Sequence, residues 1–395
     1  MTTEHGMGTG TVHEVRWRDA LPWWIIFRAA GAAFGPTVIL LAGLGSLATW
    51  AGWSLADRFG LAVADPTAAV LAGAGGDPLV LPPPQPRVAP GQPAATALGL
   101  PAGWLTAAVG RLPPVAAELA RLVRLPFDPR AGVRDAGGGL VRLGWFVLVW
   151  SIFGTAITRR VALSLVSEDV PGLTGALWYG TRKWLPAFNS FLFVLLGIAV
   201  LSVPGALLGL LMRADVGVAL AGAVWPLVLA GAAVLAILLV GVVAGWPLMV
   251  AAVGVERGDS FQAISTAFSY LYQRPLHYAF YATVAAVVAV PAMAMASLFG
   301  GLTVTLADWA ASFGMGHERA AAVAAGLAAA GGAGAWGGRA IAFWRDVVGG
   351  LAGAFVWGHT WACATAIYLL LRQDVDGTEL DEVVLDEPGG EPAAA

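Results

Sequence analysis

From Val216 to Val255 the chain runs for forty residues without a charged side chain. As a single helix this stretch would be about 60 Å long, against about 30 Å for the hydrocarbon of a bilayer. Water does not tolerate such a surface, so the run reads as a membrane span with an excess at one or both ends. A span over 223–246 fits, the remainder lying along the interface. Trp225-Pro226 and Trp246-Pro247 then mark the expected bends, because proline removes a helical donor and tryptophan favours the lipid boundary.

Five further segments share this character. They are 29–53, 140–158, 185–212, 276–300 and 347–371, the last ended by Arg372. The chain is 58% hydrophobic and 12% charged, where a soluble domain carries about 25% charged residues. The fold class expected is therefore all-α: a polytopic membrane helix bundle of six transmembrane helices with interfacial amphipathic helices. Basic residues are almost all arginine, with Lys183 the only lysine, and Ala and Gly are abundant. That usage points to a GC-rich bacterial coding sequence. The net charge of −3 offers nucleic acid nothing to bind. One cysteine, Cys363, excludes a disulfide within the chain. The first apolar run is too long for a signal peptide and reads as retained.

Arginine and lysine in short loops set the orientation. Arg16, Arg18, Arg28, Arg159, Arg160, Arg182, Lys183, Arg257, Arg274 and Arg372 gather on one side. The other side holds Arg213 in a short loop and Arg319, Arg339 and Arg345 in a longer one. Both termini are thus expected in the cytoplasm, with the protein in the inner, cytoplasmic membrane. The organisation expected is a cytoplasmic segment over 1–28, a membrane domain over 29–372 and an acidic, solvated, disordered tail over 373–395. The 57–141 loop would lie outside. Its centre, DPLVLPPPQPRVAPGQP, suits a polyproline-like linker. The following PPVAAELARLVRL places Val115, Leu119, Leu122 and Val123 at helical spacing, as a helix lying on the membrane would. HERAAAVAAGLAAA forms a similar Ala-rich piece between the fifth and sixth spans.

A shift of 87 residues brings Ala176-Leu177 onto Ala263-Ile264, Phe193 onto Phe280, and Val200 to Pro204 onto Val287 to Pro291. The N-terminal WRDALPWWIIFR, with Gly35-Pro36 inside the span that follows, fits as a third copy. The repeating unit would be an interfacial helix and two spans. In FQAISTAFSYLYQRPLHYAFY, residues Phe261, Ile264, Phe268, Leu271 and Tyr272 recur at steps of three and four and would face lipid or the bundle. Gln262, Ser265, Ser269 and Gln273 would face water. Arg274 can reach a lipid phosphate, Pro275 turns the chain into the bilayer, and His277, Tyr278 and Tyr281 would ring the entry.

The charged turn Glu256 to Asp259, the Ala-centred FQAISTAFSYL, the basic residue before a span, and the terminal AIYLLLR ahead of an acidic tail form a loose pattern over 168–372. This pattern resembles the multi-span membrane domain fused to bacterial glycerophosphodiester phosphodiesterases. The long Pro-rich first loop departs from it. The resemblance implies a membrane module without assigned chemistry, and so carries no catalytic residue across.

Enzyme signatures are missing from the sequence. There is no Walker loop and no cysteine pair at metal spacing, and His317-Glu318 lacks the second histidine of a zinc motif. Gly258-Asp259-Ser260-Phe261 begins like a GDSL esterase block without the remainder. No catalytic residue, metal site or cofactor is expected. Polar residues inside spans are costly and mark function. His359 and the adjacent Thr360, one turn before Cys363, are candidates for a ligand contact or proton relay. Asn189, Arg274 and His277 are the other candidates. Pro204 and Pro291 are expected to kink their helices. Gly31/Gly35, Gly205/Gly209, Gly241/Gly245 and Gly349/Gly353 would permit close helix approach. Two readings follow. One is a non-catalytic membrane module, scaffold or accessory subunit whose partners are membrane lipids and another membrane protein or a second copy. The other is a transporter or permease for a small or amphipathic solute, lined by His359 and the bends at Pro204 and Pro291.

Overall fold

The computed structural model describes residues 21–61, 132–166, 170–324 and 333–378. Every regular element among them is helical. After a short 3-10 turn at Pro22–Trp24 come α1 (Ile25–Ala33), α2 (Pro36–Arg58), α3 (Val133–Val166), α4 (Leu173–Leu211) and α5 (Asp215–Glu256). The chain continues through α6 (Ser260–Gln273), α7 (Pro275–Met315), α8 (His317–Ala324) and α9 (Ala333–Asp376). Six of these helices, α2, α3, α4, α5, α7 and α9, are long and apolar enough to span a membrane. The expected N-terminal segment up to Ala20, the 62–131 part of the extracytoplasmic loop with its amphipathic helix, and the tail beyond Thr378 lie outside the described residues, while α2 runs to Arg58 and α3 starts at Val133, inside the expected loop.

Proline chemistry explains one departure from the expected spans and fails to enforce another. The first span does not begin at Ala29 and run through Gly35-Pro36. The chain breaks there: α1 ends at Ala33, Gly35 is extended at ψ 133°, and Pro36 opens α2. Proline disfavours a helical residue before it and suits the first helical position. The fourth span is not divided into a membrane helix and separate interfacial pieces: α5 runs as one helix for 42 residues through Pro226 and Pro247. Pro186 and Pro204 likewise lie inside α4, and Pro291 inside α7. A proline within an established helix costs one backbone bond, and membrane helices tolerate that loss. At 39 to 44 residues, α4, α5, α7 and α9 are each about 60 Å long.

The central helix is α9. It packs against α1, α2, α3, α5 and α7. α4 and α5 form one antiparallel hairpin, and α7 and α9 form another. Burial concentrates towards the end where α3, α5 and α9 terminate. There Gly245 to Val255 and Trp361 to Arg372 are almost continuously buried. The far portions of α4 and α5 are exposed and apolar, with Leu227 76% and Val200 61% exposed. Lipid gives no hydrophobic drive between helices, so close packing and hydrogen bonds must hold the bundle. Trp150 stacks on Trp357 at 4.7 Å, and Trp246 meets Trp361 edge-on at 5.4 Å. Phe146 touches both sets.

Close approach uses few of the glycines at the expected paired spacings. A Cβ on Gly31, Gly205, Gly209 or Gly349 would meet open space. One on Gly254 would fall 2.2 Å from Thr158 Oγ1 and 3.0 Å from the Arg159 backbone nitrogen. One on Gly180 would fall 2.4 Å from the Ile152 carbonyl oxygen. Of the expected pairs, Gly241/Gly245 contributes, with the Phe268 ring seated against Gly241.

The two stretches related by an 87-residue shift share burial at matching positions. Ala176 and Ala263 are both buried, Phe193 and Phe280 both exposed, and Pro204 and Pro291 both turned outward. Their backbones differ. α4 runs on through Ala187-Phe188, whereas the matching Arg274-Pro275 separates α6 from α7.

Candidate functional site

His359 sits deep in α9 and is 3% exposed. Its Nε2 lies 3.2 Å from the Ala285 carbonyl of α7, which can only accept, so the ring nitrogen donates. Cys363 Sγ, one turn along, lies 3.4 Å from the same nitrogen. The ring of Phe355 closes another side at 6.1 Å. Thr360 points away, is exposed, and donates to the Val356 carbonyl of its own helix. Asn189 is half-buried in α4 beside Ser190, whose hydroxyl donates to the Ala187 carbonyl. Pro204 and Pro291 are exposed on the outside of their helices, whereas His359 is buried. The cleft between α3 and α4 is lined wholly by apolar residues, Phe191 and Leu143 among them.

Arg274 is exposed at the junction of α6 and α7. Its N–H donates to Tyr270 and its carbonyl accepts from Tyr278, so its backbone links the two helices. His277 is exposed, and its Nδ1 lies 3.0 Å from Asp374 of α9. These two candidates therefore belong to the helix-end region, while His359 meets α7 at Ala285, about 12 Å of helical rise beyond His277. The structure does not gather the five candidates into one site.

What it gathers is a polar network at the ends of α3, α5 and α9 that the sequence reading did not single out. Tyr368, Arg372 and Asp376 recur every four residues on α9. Tyr368 donates its hydroxyl to Glu256, the last residue of α5, and Arg372 Nη1 stands 3.9 Å from the same carboxylate oxygen. Gln262 donates to the other Glu256 oxygen at 3.1 Å. Tyr270 of α6 donates to Asp376 and packs its ring 5.5 Å from Tyr368. Burial, then the hydrogen bond to Asp376, holds the Tyr270 phenol well above its ordinary pKa, so it remains a donor. Tyr281 donates to Asp374 at 3.0 Å, on the carboxylate oxygen that also meets His277.

The C-terminus of α5 draws cations for a plain electrostatic reason. The last carbonyls of a helix have no intrahelical partner and carry partial negative charge. Arg159, 1% exposed, directs Nη1 at the Gly254 and Val255 carbonyls at 3.4 and 3.5 Å. Its guanidinium also lies 5.2 Å from the Tyr179 ring, and the Tyr179 hydroxyl donates to Val253. Lys183 donates to the Arg257 carbonyl at 3.2 Å. Arg257 itself takes a left-handed conformation, φ 61°, that ends α5.

α6 packs Leu271, with Ile264 and Phe268 partly buried, against the bundle, and leaves Gln262, Ser265 and Gln273 exposed. Ala263, Ala267, Tyr270 and Leu271 form its buried face, against α5. Phe261 is 70% exposed and stacks on Phe193 at 5.2 Å, and Tyr272 is exposed too. Small residues lie inside because α6 and α5 approach closely, which a count of large apolar side chains cannot foresee. Asp259 of the GDSF tetrapeptide is the helix cap, accepting from the Gln262 N–H at 2.8 Å, and Ser260 is buried behind it. That arrangement accounts for the tetrapeptide as a helix start.

The comparisons with known proteins match nothing: no family model, no curated protein and no solved structure.

Proposed function

We propose that this chain is a non-catalytic integral membrane module of the bacterial inner membrane, a scaffold or accessory subunit that engages lipid and a partner membrane protein. Both termini lie in the cytoplasm on this reading. One observation carries it. Among the described residues, the polar candidates within the spans bond backbone carbonyls, Thr360 on its own helix and His359 on its neighbour. His359 donates to a carbonyl of the neighbouring helix, as interhelical glue does. Pro204 and Pro291, on the outside of the bundle, support the same reading.

The resemblance to the phosphodiesterase-associated membrane domain belongs to this proposal, because that module has no chemistry of its own. The acidic residues Asp374 and Asp376 supply a further support. They fasten the end of α9 to α6 and α7.

Cysteine accessibility tests the proposal. In a Cys363→Ala background, His359→Cys should resist a membrane-impermeant maleimide added from either side of inverted or right-side-out vesicles. Rapid labelling from either side would favour the transport reading instead. Reporters fused after Pro84 and after Thr378 should report the outside and the cytoplasm respectively, and the opposite result would overturn the orientation.

A further inference from the structure

Between α3 and α4 lies a cleft of about 210 Å³. Leu143, Gly144 and Val147 form one wall, and Phe188, Phe191 and Leu192 another. Both helices are long and apolar enough to span the membrane. At the rim, Leu140 is 48% and Leu192 41% exposed, so the cleft opens sideways towards the surroundings of the bundle. Gly144 leaves its floor open: a Cβ there meets nothing within 4 Å. Trp246 stands behind Phe191, ring centroids 5.6 Å apart, and closes the inner side.

Neither water nor vacuum is a good filling. A buried water needs two to four polar partners, and no lining residue has a polar side chain. An apolar cavity of about 150 Å³ stays dry and takes up a hydrocarbon ring. An unfilled gap forfeits the dispersion contacts of its walls. We infer that the cleft is a binding slot for one acyl chain of a bilayer phospholipid, whose headgroup stays at the membrane surface. Phospholipid is the occupant because its chains form the medium around the rim, and a ligand's occupancy rises with its concentration over its dissociation constant, whereas a free fatty acid is a minor solute there. The inference rests on the membrane-module reading and deepens it by naming the lipid part that is held.

The test uses the full chain reconstituted in phosphatidylcholine vesicles that contain phosphatidylcholine with a diazirine at mid-chain. After illumination, adducts are mapped by mass spectrometry. Adducts should appear on Leu143, Phe191 and Leu192, and also on Leu227 and Leu229 of α5, which face outward at 76% and 58% exposure. Gly144→Leu should plug the cleft and cut its adducts by about tenfold, the factor that ~1.4 kcal/mol of lost contact gives. The α5 adducts should not change. If Gly144→Leu lowers the melting temperature, Gly144→Ala and Phe191→Trp serve as milder plugs and should each give a partial loss. Cleft labelling that all three leave unchanged would overturn the slot. Equal cleft labelling by a diazirine fatty acid would overturn the assignment to a phospholipid. If neither the cleft nor α5 is labelled, the membrane reading itself fails.

Discussion

Replacing one hydrogen atom by a methyl group at Gly254 should loosen the bundle where it is most tightly closed. The new Cβ would lie 2.2 Å from Thr158 Oγ1, 2.9 Å from Thr158 Cβ and 3.0 Å from the backbone nitrogen of Arg159. The first contact could be relieved by turning the Thr158 side chain, but that rotation leaves its Cβ where it is. The third is backbone, so α3 and α5 must part. Overpacking of this kind costs about 1–3 kcal/mol. The same separation would draw Arg159 Nη1 away from the Gly254 and Val255 carbonyls, already 3.4 and 3.5 Å distant. Gly144→Ala is the matched control, since its Cβ meets open space. Both substitutions gain the helix preference of alanine over glycine, up to about 1 kcal/mol. Their difference therefore isolates packing and should be about 1–3 kcal/mol, with Gly254→Ala the less stable. The assay is reversible unfolding by sodium dodecyl sulfate from a mild detergent, followed by tryptophan fluorescence. Thr158→Ala in the Gly254→Ala background should restore part of the loss, as a double-mutant cycle would reveal. Equal stability of the two glycine variants would refute the close contact between α3 and α5.

Other consequences can be checked in the same assay. Tyr368→Phe removes the donor to Glu256 beside Arg372 and should cost about 1–3 kcal/mol, while Tyr272→Phe, at an exposed hydroxyl, should cost less. The raised pKa of Tyr270 means that the folded chain keeps a proton the unfolded chain loses above pH about 10. The stability contributed by that phenol should be constant below this pH and fall above it, so the gap between wild type and Tyr270→Phe should narrow at alkaline pH. Asp259→Ala removes the α6 cap and should cost about 0.5–2 kcal/mol, with Asp259→Asn recovering most of it. Thr360→Ala should be close to neutral, because its hydroxyl only bonds its own helix on an exposed face.

The uncharged runs made the helix count legible, because transfer of charge into hydrocarbon is costly enough to dominate every local preference. The break before α7 was legible as well: Arg274-Pro275 ends one helix and opens the next. Pro226 and Pro247 do not end α5, because a proline inside a long helix loses one bond and helix continuity outweighs it. The innermost residues of α6 were less legible. Periodicity marks Phe261 and Tyr272, but the packed face is set by the small Ala263 and Ala267, which let α6 lie close to α5. Among the site candidates, the burial of His359 followed from its place in the sixth span, but its acceptor, the Ala285 carbonyl, is a backbone group that no side-chain pattern announces. The network around Glu256 left a trace in the sequence, the four-residue steps of Tyr368, Arg372 and Asp376. Recognising it required the knowledge that α5 ends beside them, which depends on tertiary packing rather than on any local spacing.

The central claim is that these six helices lie in a bilayer, and alkaline carbonate extraction of membranes from cells producing the full chain tests it most directly. The account predicts that the chain stays in the sedimented membrane after carbonate and enters solution only with detergent. Recovery of the chain in the carbonate supernatant would contradict it.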